Sequence, residues 1–260
     1  MDFSILKNYY FMRCFSCKEY RDDFNSGKKV YVNSMQYFHE HEDVFQRDFE
    51  GGVFAQGPGE KGGILLCKNS ITAEMAIKKV SMKQFTSDDM FIETENAKLF
   101  INGYIFCMTI IPKQYLEIRA KELVFNRNKD ISSGFYYLLN QYAKKNKYAF
   151  FSFYDAEPFM ERFCTQMIQR GYSLSCGRVA YENLSQEQRS KYYDQGDIAK
   201  LVFTKDKRFH YQNEFRIFIQ CPSGNTKDHI EESGIDMSSA VLKDLVYLSP
   251  EYAKELGWKK

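Results

Sequence analysis

No apolar run in this 260-residue sequence exceeds about eight residues, whereas a helix crossing a bilayer needs roughly twenty. The opening meets an acid at Asp2 and a lysine at Lys7, so it lacks the apolar stretch of a secretory leader. These two absences lead us to expect a cytoplasmic protein with no membrane partner. A dominant charge is missing too: 36 Lys and Arg against 34 Asp and Glu leave +2. Proteins that track phosphate backbones carry a large basic excess, so nucleic acid is not expected as a partner. With only five prolines, and no linker rich in Pro, Gly or Ser and no internal repeat, nothing marks a domain boundary. We therefore expect one domain over 1–260, with a strand-rich part at 1–111 and a mixed helix and strand part at 112–260. The seven cysteines are odd in number and scattered, as reduced thiols are. Cys14-x-x-Cys17 has no second pair at zinc-finger spacing, so no structural zinc is expected from it.

Aromatic residues are what the chain has in excess, with 23 Phe and 19 Tyr. Codon bias accounts for them better than a base-stacking surface does, since stacking platforms set their rings in a basic groove. Hydrophobic spacing and punctuation predict a strand at Tyr10 to Arg13, a helix from Lys18 to Asn25 stopped at Gly27, and strands at Lys29 to Asn33, Ile64 to Cys67 and Tyr104 to Ile110. A helix is expected over Ser132 to Lys145, then a strand at Tyr148 to Tyr154. Asp155 is a predicted N-cap with Pro158 in the first turn, and Phe159, Phe163 and Met167 share one face of a helix that ends at Gly171. Further on, Arg178 to Glu182 reads as strand, Ser185 to Asp194 as helix, Ala199 to Thr204 and Phe209 to Cys221 as strands, and Ala240 to Leu248 as a last strand. Without a regular βαβ beat, this is an α+β chain with a mostly antiparallel sheet and helices packed on it.

Three segments offer chemistry. The glycines around Lys61 do not follow the order of a phosphate-binding loop, and a surface connection explains them. His39-Glu40-His41-Glu42-Asp43 is rich in ligand types, but an acidic solvated face explains it better and no metal is expected. The most informative segment is Phe209 to Gln220. Read as a strand, its alternation puts Phe209, Tyr211, Phe215, Ile217 and Ile219 toward a core. His210, Gln212, Glu214, Arg216 and Gln220 then share a polar face. An ordinary half-exposed strand fits this pattern, and so does a rigid mount that aims Gln212 and Glu214 into a cleft.

That Gln-x-Glu strand resembles the catalytic strand of the ADP-ribosyltransferase superfamily. The resemblance implies that Glu214 bonds the nicotinamide ribose and stabilises the cation left as nicotinamide departs, with Gln212 orienting the acceptor. It implies further that Arg13 holds the phosphates of NAD, that Ser34 supports the nicotinamide, and that Tyr37 or Phe38 stacks on its ring. A broader resemblance runs along most of the chain, to a family of proteins from phages, prophages and bacterial defence neighbourhoods that includes abortive-infection-like members. It rests on Phe11-Met12-Arg13, Gly27 to Phe38 with Arg47 to Gly51, Glu157 to Phe163, Val179-Ala180-Tyr181, Lys205 with Tyr211 to Arg216, and Leu242 to Leu248, in that order. It implies a role in phage–host conflict. Two functions follow as expectations: NAD-dependent ADP-ribosyl transfer or NAD hydrolysis, or a non-catalytic inhibitor that binds a host or phage protein or a nucleotide signal.

Overall fold

The computed structural model describes residues 2–15, 17–35, 37, 103–119, 122–125, 150–221 and 229–242, with the strands Val53–Gln56, Gly62–Cys67, Ser81–Gln84, Asp89–Thr94 and Lys98–Phe100. Phe38, the His39 to Asp43 segment, the expected helix at 132–145 and the chain after 242 lie outside the described residues. The architecture is α+β with a mostly antiparallel sheet, as the sequence predicts.

Seven strands make the main sheet: β1 (Tyr9–Phe15), β2 (Val30–Ser34), β3 (Tyr104–Pro112), β4 (Phe150–Asp155), β5 (Ser173–Arg178), β6 (Glu214–Gln220) and β7 (His229–Glu232). The order is β4-β1-β3-β6-β5, with β2 also paired to β3 and β7 paired to β2. Tyr-Ile-Phe-Cys-Met-Thr-Ile-Ile-Pro is apolar on both faces, which suits β3 to the centre of the sheet. One long edge of β3 carries β6, from Thr109 opposite Glu214 to Tyr104 opposite Ile219. The other edge is shared: β1 takes the end from Thr109 to Pro112, and β2 takes Tyr104 and Ile105. Between them β1 bends away to pair with β4 and β2 to pair with β7, so the sheet forks beside residues 106–108.

Two helices, α1 (Lys18–Asn25) and α2 (Ala156–Gln169), cover one face. Alternation sends Phe11, Phe106, Met108, Ile110, Phe215, Ile217 and Ile219 into this core, where Phe24, Phe159, Phe163 and Met167 meet them. The α2 boundaries follow the predicted signals, with Asp155 at the cap position and extended. Its carboxylate makes no cap bond, however, and instead accepts from Lys113 Nζ at 2.7 Å. After α1 the chain turns at Gly27, whose φ is +72° and whose carbonyl accepts from Gly234 N at 2.7 Å. A methyl group there would sit 2.5 Å from the Ile235 carbonyl oxygen. Gly27→Ala is therefore expected to lose about 2–3 kcal/mol in urea unfolding, from left-handed strain plus the clash.

A second layer lies on the opposite face. Residues 179–213 leave β5 and fold back over the sheet, through α3 (Gln186–Asp194) and α4 (Ile198–Val202), before returning as β6. Ser185 and Gln188 close a reciprocal capping box on α3. Leu201 and Val202 of α4 pack on Met35, Ile105 and Phe218.

Three expectations are corrected in this layer. Ala199 to Thr204 is not a strand: Asp197 accepts from Lys200 N and starts α4, and a short apolar run carries too few residues to separate the two periods. The strand expected at Arg178 to Glu182 is present but shorter, at Ala180–Tyr181, and a longer one that was not expected precedes it at Ser173–Arg178, where an edge position tolerates its serines. Phe209 to Gln212 is not strand either, because Asp206 caps a 3₁₀ turn over Lys207–Gln212. Asn213 then takes a left-handed φ of 42°, which asparagine tolerates, and β6 begins at Glu214.

Candidate functional site

Glu214 opens β6 on the face that α4 covers. The register pairs it with Thr109 and pairs Arg216 with Cys107, so these four side chains share that face of the sheet. Of the expected polar face, His210 and Gln220 are exposed but Glu214 and Arg216 are interior, with Lys205 beside them: Glu214 is 6% exposed, Arg216 1% and Lys205 4%. Burying three charges demands that they satisfy one another. Arg216 Nε donates to Glu214 Oε1 at 2.5 Å and Lys205 Nζ to Glu214 Oε2 at 3.1 Å. The remaining bonds reach outward from this triad. Lys205 Nζ also donates to Gln212 Oε1 at 2.8 Å, and Arg216 Nη1 to the Val202 carbonyl at 2.6 Å. The Glu214 amide donates to the Tyr181 hydroxyl at 2.8 Å.

The electrostatics follow from this geometry. Burial favours the neutral acid at Glu214, but Arg216 and Lys205 together outweigh it and hold the carboxyl well below the ordinary glutamate range. Burial, with the Glu214 charge beside it, pushes the Cys107 thiol and the Tyr181 phenol well up, so both stay protonated at neutral pH. The cluster thus holds one permanent anion between two cations, with a thiol and a phenol as neutral neighbours.

Of the residues assigned to one NAD site, Gln212 and Glu214 meet through Lys205. Arg13 does not join them. Met12 is the residue aligned with Thr109 and hence with Glu214, so Arg13 projects from the other face of the sheet. There its guanidinium lies 3.8 Å from the Phe106 ring centroid and 5.4 Å from that of Phe24. Its Nη1 donates to the Cys107 carbonyl at 3.3 Å, inside the fork that β1 and β2 leave beside β3. A cation that serves an interior strand carbonyl and lies on core rings fills the fork in the sheet.

Ser34 is displaced as well. It aligns with Tyr104, and Tyr104 with Ile219, five residues along β6 from Glu214, or about 17 Å of strand. Its side chain also lies on the opposite face from Glu214, and its Oγ accepts from Tyr37 N at 3.1 Å, the i+3 geometry of a cap. Tyr37 is at the surface, 36% exposed, just past the end of β2.

Sequence reasoning met Lys205 within the broader resemblance and missed it as a site residue. Its signal was the odd placement of a lysine two residues after the apolar run Leu201-Val202-Phe203. Among the described residues, no group of three or more His, Cys, Asp or Glu side chains is arranged to hold a metal ion. No helix among them is long and apolar enough to cross a membrane. Compared with family models, curated proteins and solved structures, the chain matches none.

Proposed function

We propose that this protein acts in phage–host conflict by binding a host or phage protein, rather than by transferring ADP-ribose or hydrolysing NAD. The observation that carries the reading is the engagement of Glu214. In ADP-ribosyl transfer that carboxylate must accept a ribose hydroxyl and face a developing cation. Here each of its oxygens already takes a charged donor from the protein, and the side chain is buried. The group expected to hold the NAD phosphates lies across the sheet among core rings, and the serine expected at the nicotinamide caps a turn. What remains is a rigid sheet clad on both faces, a scaffold suited to presenting a surface.

The test is nicotinamide release and label transfer from labelled NAD, with folded protein alone and in bacterial lysate. No release and no labelled acceptor are expected, while affinity purification from phage-infected cells recovers a stoichiometric protein partner. Release that a folded Gln212→Asn variant lacks would return the chain to ADP-ribosyl transfer, with Gln212 and Glu214 as its centre.

A further inference from the structure

Strands β5 and β6 are antiparallel neighbours, with Arg178 opposite Phe215. Two to five residues are enough to close such a pair, yet residues 179–213 intervene. Both ends of this excursion are tied at one level of the sheet: Val179 N donates to the Glu214 carbonyl at 3.0 Å, and Ile110 N to the Asn213 carbonyl at 2.9 Å. Asn213, with its left-handed φ, makes the sharp return into β6.

Between those two points the excursion holds itself together. Ala180–Tyr181 pairs in parallel with Thr204–Lys205. Ala180 N donates to Phe203 O at 2.8 Å, Glu182 N to Lys205 O at 3.0 Å and Asp197 N to Tyr192 O at 2.8 Å. Lys200 and Glu182 form an ion pair at 2.8 Å within the same segment. Its apolar contacts are also a separate set, in which Leu201, Val202, Ile198 and Phe203 meet Met35, Ile105 and Phe218, apart from the larger core on the other face.

Apart from the Asn213–Ile110 bonds at its return, polar attachments of this segment to the sheet include three at Glu214 and Arg216. Lys205 reaches Glu214, the Tyr181 hydroxyl takes the Glu214 amide, and Arg216 reaches the Val202 carbonyl. We infer that residues 179–213 are a flap that opens and recloses as one unit while the sheet and its α1–α2 layer stay folded, with Glu214 as the latch. A segment with internal bonds, an apolar contact set apart from the main core and a charged anchor at Glu214 has what a sub-global unfolding unit requires, although its α3 also lies against the strand Val53–Gln56. The inference stands independently of the binding role.

Hydrogen exchange read by mass spectrometry on the full chain tests it. In the wild type, amides of 180–212 are expected to exchange ahead of those in β1, β3 and β4. Lys205→Met removes the flap's charged anchor but leaves the Glu214–Arg216 pair within β6. It is expected to speed exchange over 180–212 by about tenfold or more, with β1, β3 and β4 unchanged. A uniform acceleration over flap and sheet, or none, overturns the proposal. Should Lys205→Met fail to fold, Tyr181→Phe is expected to give the same selectivity, and a uniform or absent response there overturns it equally.

Discussion

Glu214→Gln is expected to lower the free energy of unfolding by about 3–5 kcal/mol, the range for breaking a buried ion pair by removing one partner. The substitution keeps the shape of the side chain and removes its charge, leaving Lys205 and Arg216 as two buried cations with no anion between them. Urea unfolding of the two proteins measures the difference, and a loss below about 1 kcal/mol, the scale of exposed pairs, would contradict the buried triad. A residue on a solvated polar face, one of the two readings its alternation allowed, would give that small loss. Acid should reproduce the same loss in the wild type. The folded-state pKa of Glu214 lies below its unfolded value, so in mild acid the unfolded chain binds the extra proton. The contribution of this group is therefore full above the ordinary glutamate value of 4.5 and is lost as the pH falls below it. In Glu214→Gln that part of the acid sensitivity should vanish, and a wild-type and variant pair with parallel stability curves below pH 4.5 would contradict the assignment.

Where local chemistry decides local structure, the chain was legible. The bounds of α1 at Lys18–Asn25, the α2 start at Asp155 and its stop at Gly171, and the extent of α3 after Ser185 each depend on residues within a turn of one another. The face of α2 that enters the core was equally readable, because Phe159, Phe163 and Met167 repeat at helical spacing. What failed depended on residues far apart. Alternation in β6 assigned the two faces correctly, with Phe215, Ile217 and Ile219 toward the main core. It said nothing of whether a second layer covers the other face, and that is a property of residues 179–213 as a whole. Charged residues alternating along a strand look solvated unless their partners are known, and Lys205, nine residues before Glu214, becomes a partner only after the 3₁₀ turn and Asn213 bring the chain back. Arg13 failed for a related reason. Its phosphate role came only from the resemblance, and its place beside the Cys107 carbonyl emerges only from the fork that β1 and β2 make beside β3.

Phe159→Ala is the second large loss expected, again about 3–5 kcal/mol, and it arises from packing alone. Phe159 is fully buried at the first turn of α2. Its ring centroid lies 5.0 Å from that of Tyr154, 5.7 Å from those of Phe11 and Phe163, 6.1 Å from that of Phe106 and 6.5 Å from that of Phe24. Those five rings come from β4, β1, α2, β3 and α1, so one side chain joins both helices to three strands. Closely packed rings collapse poorly into a vacated space, which places the expected cost in the upper part of the range for a core aromatic. Phe159→Leu should recover about half of it, because most of the apolar area returns but not the flat ring edge that meets Phe11 at an interplanar angle of 84°. The pH dependence separates this variant from Glu214→Gln. No titrating group changes in Phe159→Ala, so its deficit should persist unaltered through the acid range in which the Glu214 contribution fades. A Phe159→Ala deficit that shrinks with acid would mean that the two faces of the sheet are coupled, and that the flap and the aromatic core do not unfold as separate units.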